Sequence, residues 1–197
     1  MPTSLPPLRV VLALTATFVI AALAAAGTQA QTLGSTGGSF ELTDQTGKPF
    51  SSKTLVGRPY AIFFGFTHCP DVCPTTLVEI SNRLAALGAE ADQLRVVFVS
   101  VDFERDTPDA LRAYLSSFDA RIIGLSGSEA QLAEAAKGWN AHYDKFIESN
   151  GSITIVHTAH VYLMGADNRL MATLNFQEPE SEQLAKLKRL LAGKPAN

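Results

Sequence analysis

Basic side chains are fewer than acidic ones in this chain of 197 residues, which has 16 Lys and Arg and 19 Asp and Glu. Without its first thirty residues it loses Arg9 and no acid, so 15 basic and 19 acidic residues give a formal charge of −4. A nucleic-acid-binding protein gains its affinity from many Lys and Arg contacts to phosphate. The composition therefore excludes nucleic acid as a partner.

Charge is absent from Val10 to Ala26, a mostly apolar run that follows Arg9. Signal-peptide cores are about 7 to 15 residues long and membrane-spanning helices about 20, and this run is intermediate. Residues 1–30 are therefore predicted to be a signal peptide or a membrane anchor. Because the lone positive charge precedes the run, the remainder is expected outside the cytoplasm, anchored to or exported to the periplasmic side of the membrane.

Cysteine is scarcer still, since Cys69 and Cys73 are the only two in the chain. Two thiols four residues apart can meet each other or a common ligand. Pro74 suits the first position of a helix, which places Cys73 at or beside the N-cap, where amide dipoles are expected to lower its pKa. The alternative is two cysteines packed as small apolar residues, which Pro70 and Asp71 between them disfavour.

The rest of the chain predicts an α/β domain over residues 40–193, after a flexible linker at 31–39 and before a tail at 194–197. Alternating residues around a turn predict an N-terminal β-hairpin, and helical and β-branched segments then alternate as in a parallel sheet. An antiparallel hairpin and a last helix follow. The predicted strands are 40–43, 49–52, 58–66, 94–101, 121–125, 153–164 and 170–176, with helices after Pro74, Thr107 and Ser128 and near the C-terminus. This order, with a thiol pair after an early strand, indicates a thioredoxin-like mixed sheet flanked by helices.

A metal held by two thiolates generally needs a third donor, for which the chain offers His68, His142, His157 and His160. If residues 153–164 form one strand, alternation places His157 and His160 on opposite faces, and at most one points at the thiols. Two thiolates and one imidazole suit copper, as Cu(I) or Cu(II), whereas zinc usually takes four ligands. Spacing alone does not choose among the histidines.

The stretch from Phe63 to Leu77 resembles the Sco/SenC family of copper-delivery proteins, whose motif is an apolar strand followed by F-G-[YF]-T-x-C-P-x-x-C-P-[TS]. Residues 100–108, Ser-Val-Asp-Phe-Glu-Arg-Asp-Thr-Pro, resemble the family's S-[VI]-D-P-E-R-D-T-P, and residues 156–159 resemble its D-H-[ST] segment. The likeness covers about Ser39 to Leu191. Two departures are Phe103 in place of the usual Pro and Val156 in place of the usual Asp.

The resemblance implies a thioredoxin-like domain that binds one copper through Cys69, Cys73 and His157. It also implies a copper metallochaperone that delivers the metal to the dinuclear copper centre of cytochrome c oxidase, with the copper-centre subunit as partner and the membrane reached through the N-terminal segment. Other copper chaperones or thiol reductants are further candidate partners. The missing carboxylate at Val156 is expected to alter metal affinity or docking.

Two enzyme classes compete with this interpretation. The first is a dedicated thiol-disulfide oxidoreductase, with Cys69 and Cys73 as its redox pair, that reduces the cysteines of that copper site or senses redox state. Three residues rather than two separate the thiols, and residues 153–164 lack the proline of thioredoxin-like redox enzymes, so a metallochaperone is favoured over an enzyme. The second is a peroxiredoxin-like peroxidase, which the position of Thr67 only two residues before Cys69 disfavours.

Two further predictions concern acidic residues. The charged stretch of Asp102, Glu104, Arg105 and Asp106 is expected to form a strand-to-helix loop in which Asp106 or Thr107 caps the next helix. Partner contact is the alternative for this loop, because it follows the carboxyl end of a strand. Asp71, inside the thiol loop, is expected to be solvated, to tune the copper site or to face a partner.

Overall fold

The structure is a computed structural model that describes residues 34–149 and 151–194. The predicted signal peptide or anchor at 1–30, the start of the linker and residues 195–197 of the tail lie outside the described residues. Among the residues that are described, no helix has both the length and the apolar character needed to cross a membrane.

Nine strands and four helices make up the described part of the chain. In chain order they are β1 (Glu41–Asp44), β2 (Pro49–Ser51), β3 (Tyr60–Gly65), α1 (Val72–Leu87), β4 (Arg95–Ser100), α2 (Pro108–Leu115), β5 (Ile122–Ser126), α3 (Glu129–Gly138), β6 (Tyr143–Ile147), β7 (Ile153–His157), β8 (Val161–Met164), β9 (Leu170–Leu174) and α4 (Glu180–Leu191).

Seven of the strands form one mixed sheet in the order β2-β1-β5-β4-β3-β8-β9. β3, β4 and β5 run parallel, and β1 and β8 add to them antiparallel on either side. Every residue of β3 is buried, as expected for a central strand that is covered on both faces. The parallel strands end at one edge, so the loops that follow β3 and β4 lie side by side there.

α2 and α3 begin where their caps predict. The Thr107 side chain accepts a hydrogen bond from the Ala110 amide at the start of α2, and Ser128 and Gln131 form the predicted capping box of α3. α1 packs against α4, α2 against β5 and α3 against β1. The predicted α/β architecture with its N-terminal hairpin is confirmed, and the helices flank the sheet.

One local prediction, the start of α1, is wrong. α1 begins at Val72 rather than at Pro74, so Pro74 is its third residue, a first-turn position where the missing N–H of proline breaks no helical hydrogen bond. The described part of the predicted flexible linker is held by backbone hydrogen bonds: the amides of Gly34 and Gly37 donate to the carbonyl oxygens of Leu170 and Asn168. These bonds tie the segment to the turn between β8 and β9.

The predicted long strand 153–164 is two strands in two different sheets. β7 pairs antiparallel with β6 in a separate two-stranded sheet, while β8 belongs to the main sheet. β6 is absent from the sequence prediction, because its residues are mostly exposed and mix charged with apolar side chains. The break after His157 means that strand alternation does not relate the orientation of His157 to that of His160.

Candidate metal site

Both thiols lie at the edge where the parallel strands end. β3 stops at Gly65, Cys69 follows in the connecting loop, and Cys73 is the second residue of α1. Cys73 is fully buried, whereas Cys69 is partly exposed. Gly65 is needed for this arrangement, because a Cβ atom there would lie 2.9 Å from the Cys73 sulfur and 2.8 Å from the Phe98 ring.

The two sulfurs differ in acidity, and in the opposite sense from the sequence prediction. The amide of Cys73 donates to the Cys69 sulfur at 3.4 Å, so the first turn of α1 stabilises negative charge on Cys69. A hydrogen bond from the Cys73 side chain, acting against the cost of burial, lowers the pKa of Cys69 to about 4, with further help from His157. The same interaction with Cys69, together with burial, raises the pKa of Cys73.

His157, the last residue of β7, reaches the buried thiol. Its Nε2 atom lies 3.2 Å from the Cys73 sulfur. Its Nδ1 atom lies 3.0 Å from the carbonyl oxygen of Thr158, which can only accept, so Nδ1 carries a proton in this hydrogen bond. The rings of Phe63 and Phe66 stand edge-on to the imidazole at 6.1 and 5.7 Å.

One donor atom each from Cys69, Cys73 and His157 therefore lies within 4.8 Å of the other two. The two thiols come from one loop and one helix, and the imidazole comes from the separate β6-β7 hairpin. Two sulfur donors and one nitrogen donor in a partly buried position form a set that soft metal ions prefer.

The other three histidines lie elsewhere. The His160 ring stands edge-on to the Tyr162 ring with centroids 4.5 Å apart, and burial lowers the pKa of His160. His142 is exposed. His68 is exposed and is not one of the donors grouped with the thiols, and its Nδ1 atom lies 3.0 Å from the Thr67 hydroxyl and 3.8 Å from a carboxylate oxygen of Asp106. Sequence reasoning could not separate His157 from His160, because their orientations depend on the break between β7 and β8.

In both acidic stretches the structure agrees with one of the predicted alternatives: Asp71 is exposed to solvent, and Thr107 rather than Asp106 caps the next helix. Asp71 is exposed and acts through its backbone amide, which stabilises the Cys69 thiolate, while its side chain caps nothing. Val156 is 61% exposed and neighbours Asp144 on β6, so the position of the family's usual Asp faces solvent. Thr107 is the N-cap of α2.

Asp106 is the residue that sequence reasoning missed. Instead of capping α2, its carboxylate is buried beneath the thiol loop, where it accepts hydrogen bonds from the amide and the hydroxyl of Thr67 and from the hydroxyl of Ser100. A signal for this role is present in the sequence, since Asp106 and Thr67 both follow the ends of adjacent parallel strands.

A groove opens beside Cys69. One wall is the thiol loop from Phe66 to Val72, and the other is the start of β7 from Ser152 to Ile155. Its apolar lining includes Phe66, Pro70, Val72, Ile153 and Ile155. The partly exposed sulfur of Cys69 is thus reached from this groove, while Cys73 lies behind it.

Known proteins share both the sequence and the fold. A putative copper-binding protein of Stutzerimonas stutzeri is 42% identical over 131 residues, which are 66% of this chain and 64% of that protein. The chain therefore spans somewhat less than two thirds of that relative. The structure of Bradyrhizobium japonicum ScoI with copper bound is 47% identical, with a TM-score of 0.74 over 79% of this chain and 99% of that one.

A more distant structure is BsSco, described as a member of the Sco family of cytochrome c oxidase assembly proteins, which matches with 24% identity and a TM-score of 0.66 over 84% of this chain and 99% of that one. These neighbours share the thioredoxin-like fold that the sequence predicted. The family model described as SCO1/SenC matches residues 28–192 of this chain. On this match, and on the shared fold and sequence, the chain belongs to the SCO1/SenC family.

Proposed function

We propose that this protein is a copper metallochaperone in which Cys69, Cys73 and His157 bind one copper ion. The observation that carries the proposal is the convergence of two sulfurs and one imidazole nitrogen within 4.8 Å. Copper binding by ScoI of Bradyrhizobium japonicum, at 47% identity, supports the choice of metal.

The residues present fit copper better than zinc. Cu(I) accepts two thiolates and one imidazole, and Cu(II) is held by the same donors in a more planar arrangement, whereas a structural zinc ion is almost always four-coordinate. The group of possible ligands found among the described residues at this site has three members. The Cys69 thiolate is available near neutral pH because its pKa is lowered to about 4.

The site also suits transfer of its metal. Cys69 is partly exposed and borders an apolar groove, whereas Cys73 is buried. A ligand of an acceptor protein can therefore approach from the Cys69 side and replace the protein's donors one at a time. We propose that the acceptor is the dinuclear copper centre of cytochrome c oxidase, in keeping with the assembly role named for BsSco.

The location of the protein is part of the same proposal. An export signal or anchor at residues 1–30 would hold the domain at the periplasmic side of the cytoplasmic membrane, where the copper-centre subunit is expected to be accessible. Fusion of residues 1–30 to alkaline phosphatase, which is active only after export, tests this placement. An inactive fusion contradicts it.

The direct test of the site is titration of the reduced domain with Cu(I) in competition with a chelator. We expect one equivalent bound by the wild-type protein and an affinity at least about tenfold lower in His157→Ala, because a ligand is lost. His142→Ala is the matched control and should bind as the wild type does, since His142 is exposed and is not one of the donors grouped at the site. Equal affinities for His157→Ala and the wild type would remove His157 from the site.

A second candidate function is a dedicated thiol-disulfide oxidoreductase that reduces the cysteines of the copper centre or senses redox state. It is favoured by the pairing of a partly exposed, acidic Cys69 with a buried Cys73, the asymmetry that thiol exchange uses. Reduction of a disulfide-bonded peptide from the copper centre by the metal-free protein tests it. A rate no faster than that of a free thiol would remove this alternative.

A further inference from the structure

Asp106 ties together the ends of two adjacent parallel strands. Its carboxylate accepts hydrogen bonds from the Thr67 amide at 2.9 Å, the Thr67 hydroxyl at 2.6 Å and the Ser100 hydroxyl at 2.6 Å. Thr67 lies just after β3, and Ser100 is the last residue of β4. The side chain of Asp106 has no exposed surface. Three donors from two strand ends therefore compensate for the burial of one negative charge.

Thr67 is the point at which this contact reaches the copper site. Thr67 lies two residues before Cys69, and its backbone amide and its hydroxyl both donate to the Asp106 carboxylate. The direction in which the chain leaves β3 is thereby fixed before the loop turns toward α1. Cys69 lies in this loop. The position of its sulfur relative to Cys73 and His157 therefore depends on how well the loop is ordered.

Two other roles for Asp106 fit the contacts less well. His68, Asp102 and Asp106 could form a second metal cluster, since their donor atoms lie within 4.8 Å of one another. However, the Asp102 carboxylate pairs with Arg105, and a metal ion would have to displace the donors that already occupy Asp106. A helix cap is the other role, and Thr107 fills it.

We propose that Asp106 is a positioning residue for the copper site, which acts through Thr67 to fix the loop that carries Cys69. The part of this inference that concerns copper affinity rests on the proposed function. The part that concerns the order of the loop does not, and it is measured on the metal-free protein.

Four variants separate this role from a general contribution to folding. Asp106→Asn keeps the shape of the side chain and replaces one acceptor oxygen by a donor. Thr67→Val removes the hydroxyl, and Thr67→Ser keeps it. Asp119→Asn is the control, because the Asp119 carboxylate is also paired within the fold, with Arg121 at 2.7 Å, but it precedes β5 at the other end of the sheet.

The first measurement is amide hydrogen exchange of the reduced, metal-free protein. Peptides covering residues 67–71 are expected to exchange about tenfold faster in Asp106→Asn and Thr67→Val than in the wild type, because the loop loses its anchor. Thr67→Ser and Asp119→Asn should match the wild type in this segment. The second measurement is Cu(I) affinity, expected to fall about tenfold in the first two variants and to be restored in Thr67→Ser.

Wild-type exchange of residues 67–71 and wild-type copper affinity in Asp106→Asn and Thr67→Val would overturn the inference, even if both variants melt at lower temperature. If Asp106→Asn does not fold, the inference is tested by Thr67→Val and Thr67→Ser alone. Equal exchange rates and equal copper affinities in these two variants would then overturn it. If the wild-type protein binds no copper, the proposed function fails, and the exchange rates still support or overturn the role of Asp106 in the loop.

Discussion

At the scale of single residues, the two cysteines differ in exposure and in hydrogen-bond partners although they are only four residues apart. Cys69 is partly exposed and receives the Cys73 amide, whereas Cys73 is buried and next to His157. The sequence predicted a lowered pKa for Cys73, because it lies at a helix start. That prediction is wrong because the amide of Cys73 points at the neighbouring sulfur, so the helix N-terminus acts on Cys69.

The lowered pKa of Cys69 predicts an unusual pH profile of alkylation. With a pKa of about 4, Cys69 is already a thiolate at pH 6, so its rate with iodoacetamide should be nearly flat between pH 6 and pH 8. In the urea-unfolded protein, with a thiol pKa of about 8.5, the rate should rise by nearly a hundredfold over the same range. Rates are read by mass spectrometry of the peptide that contains Cys69. A rise of about tenfold per pH unit in the folded protein would contradict the lowered pKa.

At the scale of elements, the thiols and the imidazole come from different parts of the structure. Cys73 belongs to α1, which is packed against α4, while His157 ends a two-stranded hairpin outside the main sheet. The hairpin is held to the loop after β4 by an ion pair at 2.6 Å between Lys145 and Glu104. If His157 is a copper ligand, as proposed, copper binding should depend on the pairing of β6 with β7.

Breaking that pairing should weaken the site without unfolding the protein. Thr154 and Phe146 are directly opposite each other, and the alternation of the ladder directs the Thr154 amide toward β6. Thr154→Pro removes this donor, and we expect Cu(I) affinity at least about tenfold lower, with the melting temperature changed by only about 2 °C.

Thr154→Val is the matched control, because it keeps the amide and favours a strand. It should bind copper as the wild type does. Full copper affinity in the Pro variant would mean that His157 does not depend on the hairpin for its position.

The elements also show what the sequence could and could not predict. Buried strands such as β3 and helices with clear caps, such as α3 after Ser128, carry their own local signals, and their predictions are confirmed. β6 carries no such signal because its side chains are mostly exposed. The orientation of His157 depends on the break before β8, and the role of Asp106 depends on two loops that meet only in the folded sheet. Neither is encoded locally.

At the scale of the whole molecule, copper would join a loop and helix of the main domain to the outlying hairpin. A ligand that binds only the folded state stabilises it by about 4 kcal/mol when its free concentration is 1,000 times the dissociation constant. For a domain of this size, that corresponds to an increase in melting temperature of about 10 °C.

Calorimetry of the reduced protein with and without buffered Cu(I) measures this increase. The Cys69→Ser/Cys73→Ser variant should show no increase under the same conditions, because it lacks both sulfurs. An equal increase in this variant would place the stabilising copper at another position in the molecule.

X-ray absorption at the copper edge of the Cu(I)-loaded protein tests the central claim most directly. The convergence of Cys69, Cys73 and His157 predicts two sulfur scatterers and one nitrogen scatterer around the metal, and loss of the nitrogen in His157→Ala. A spectrum that shows no nitrogen in the wild-type protein, or that is unchanged in His157→Ala, would contradict it.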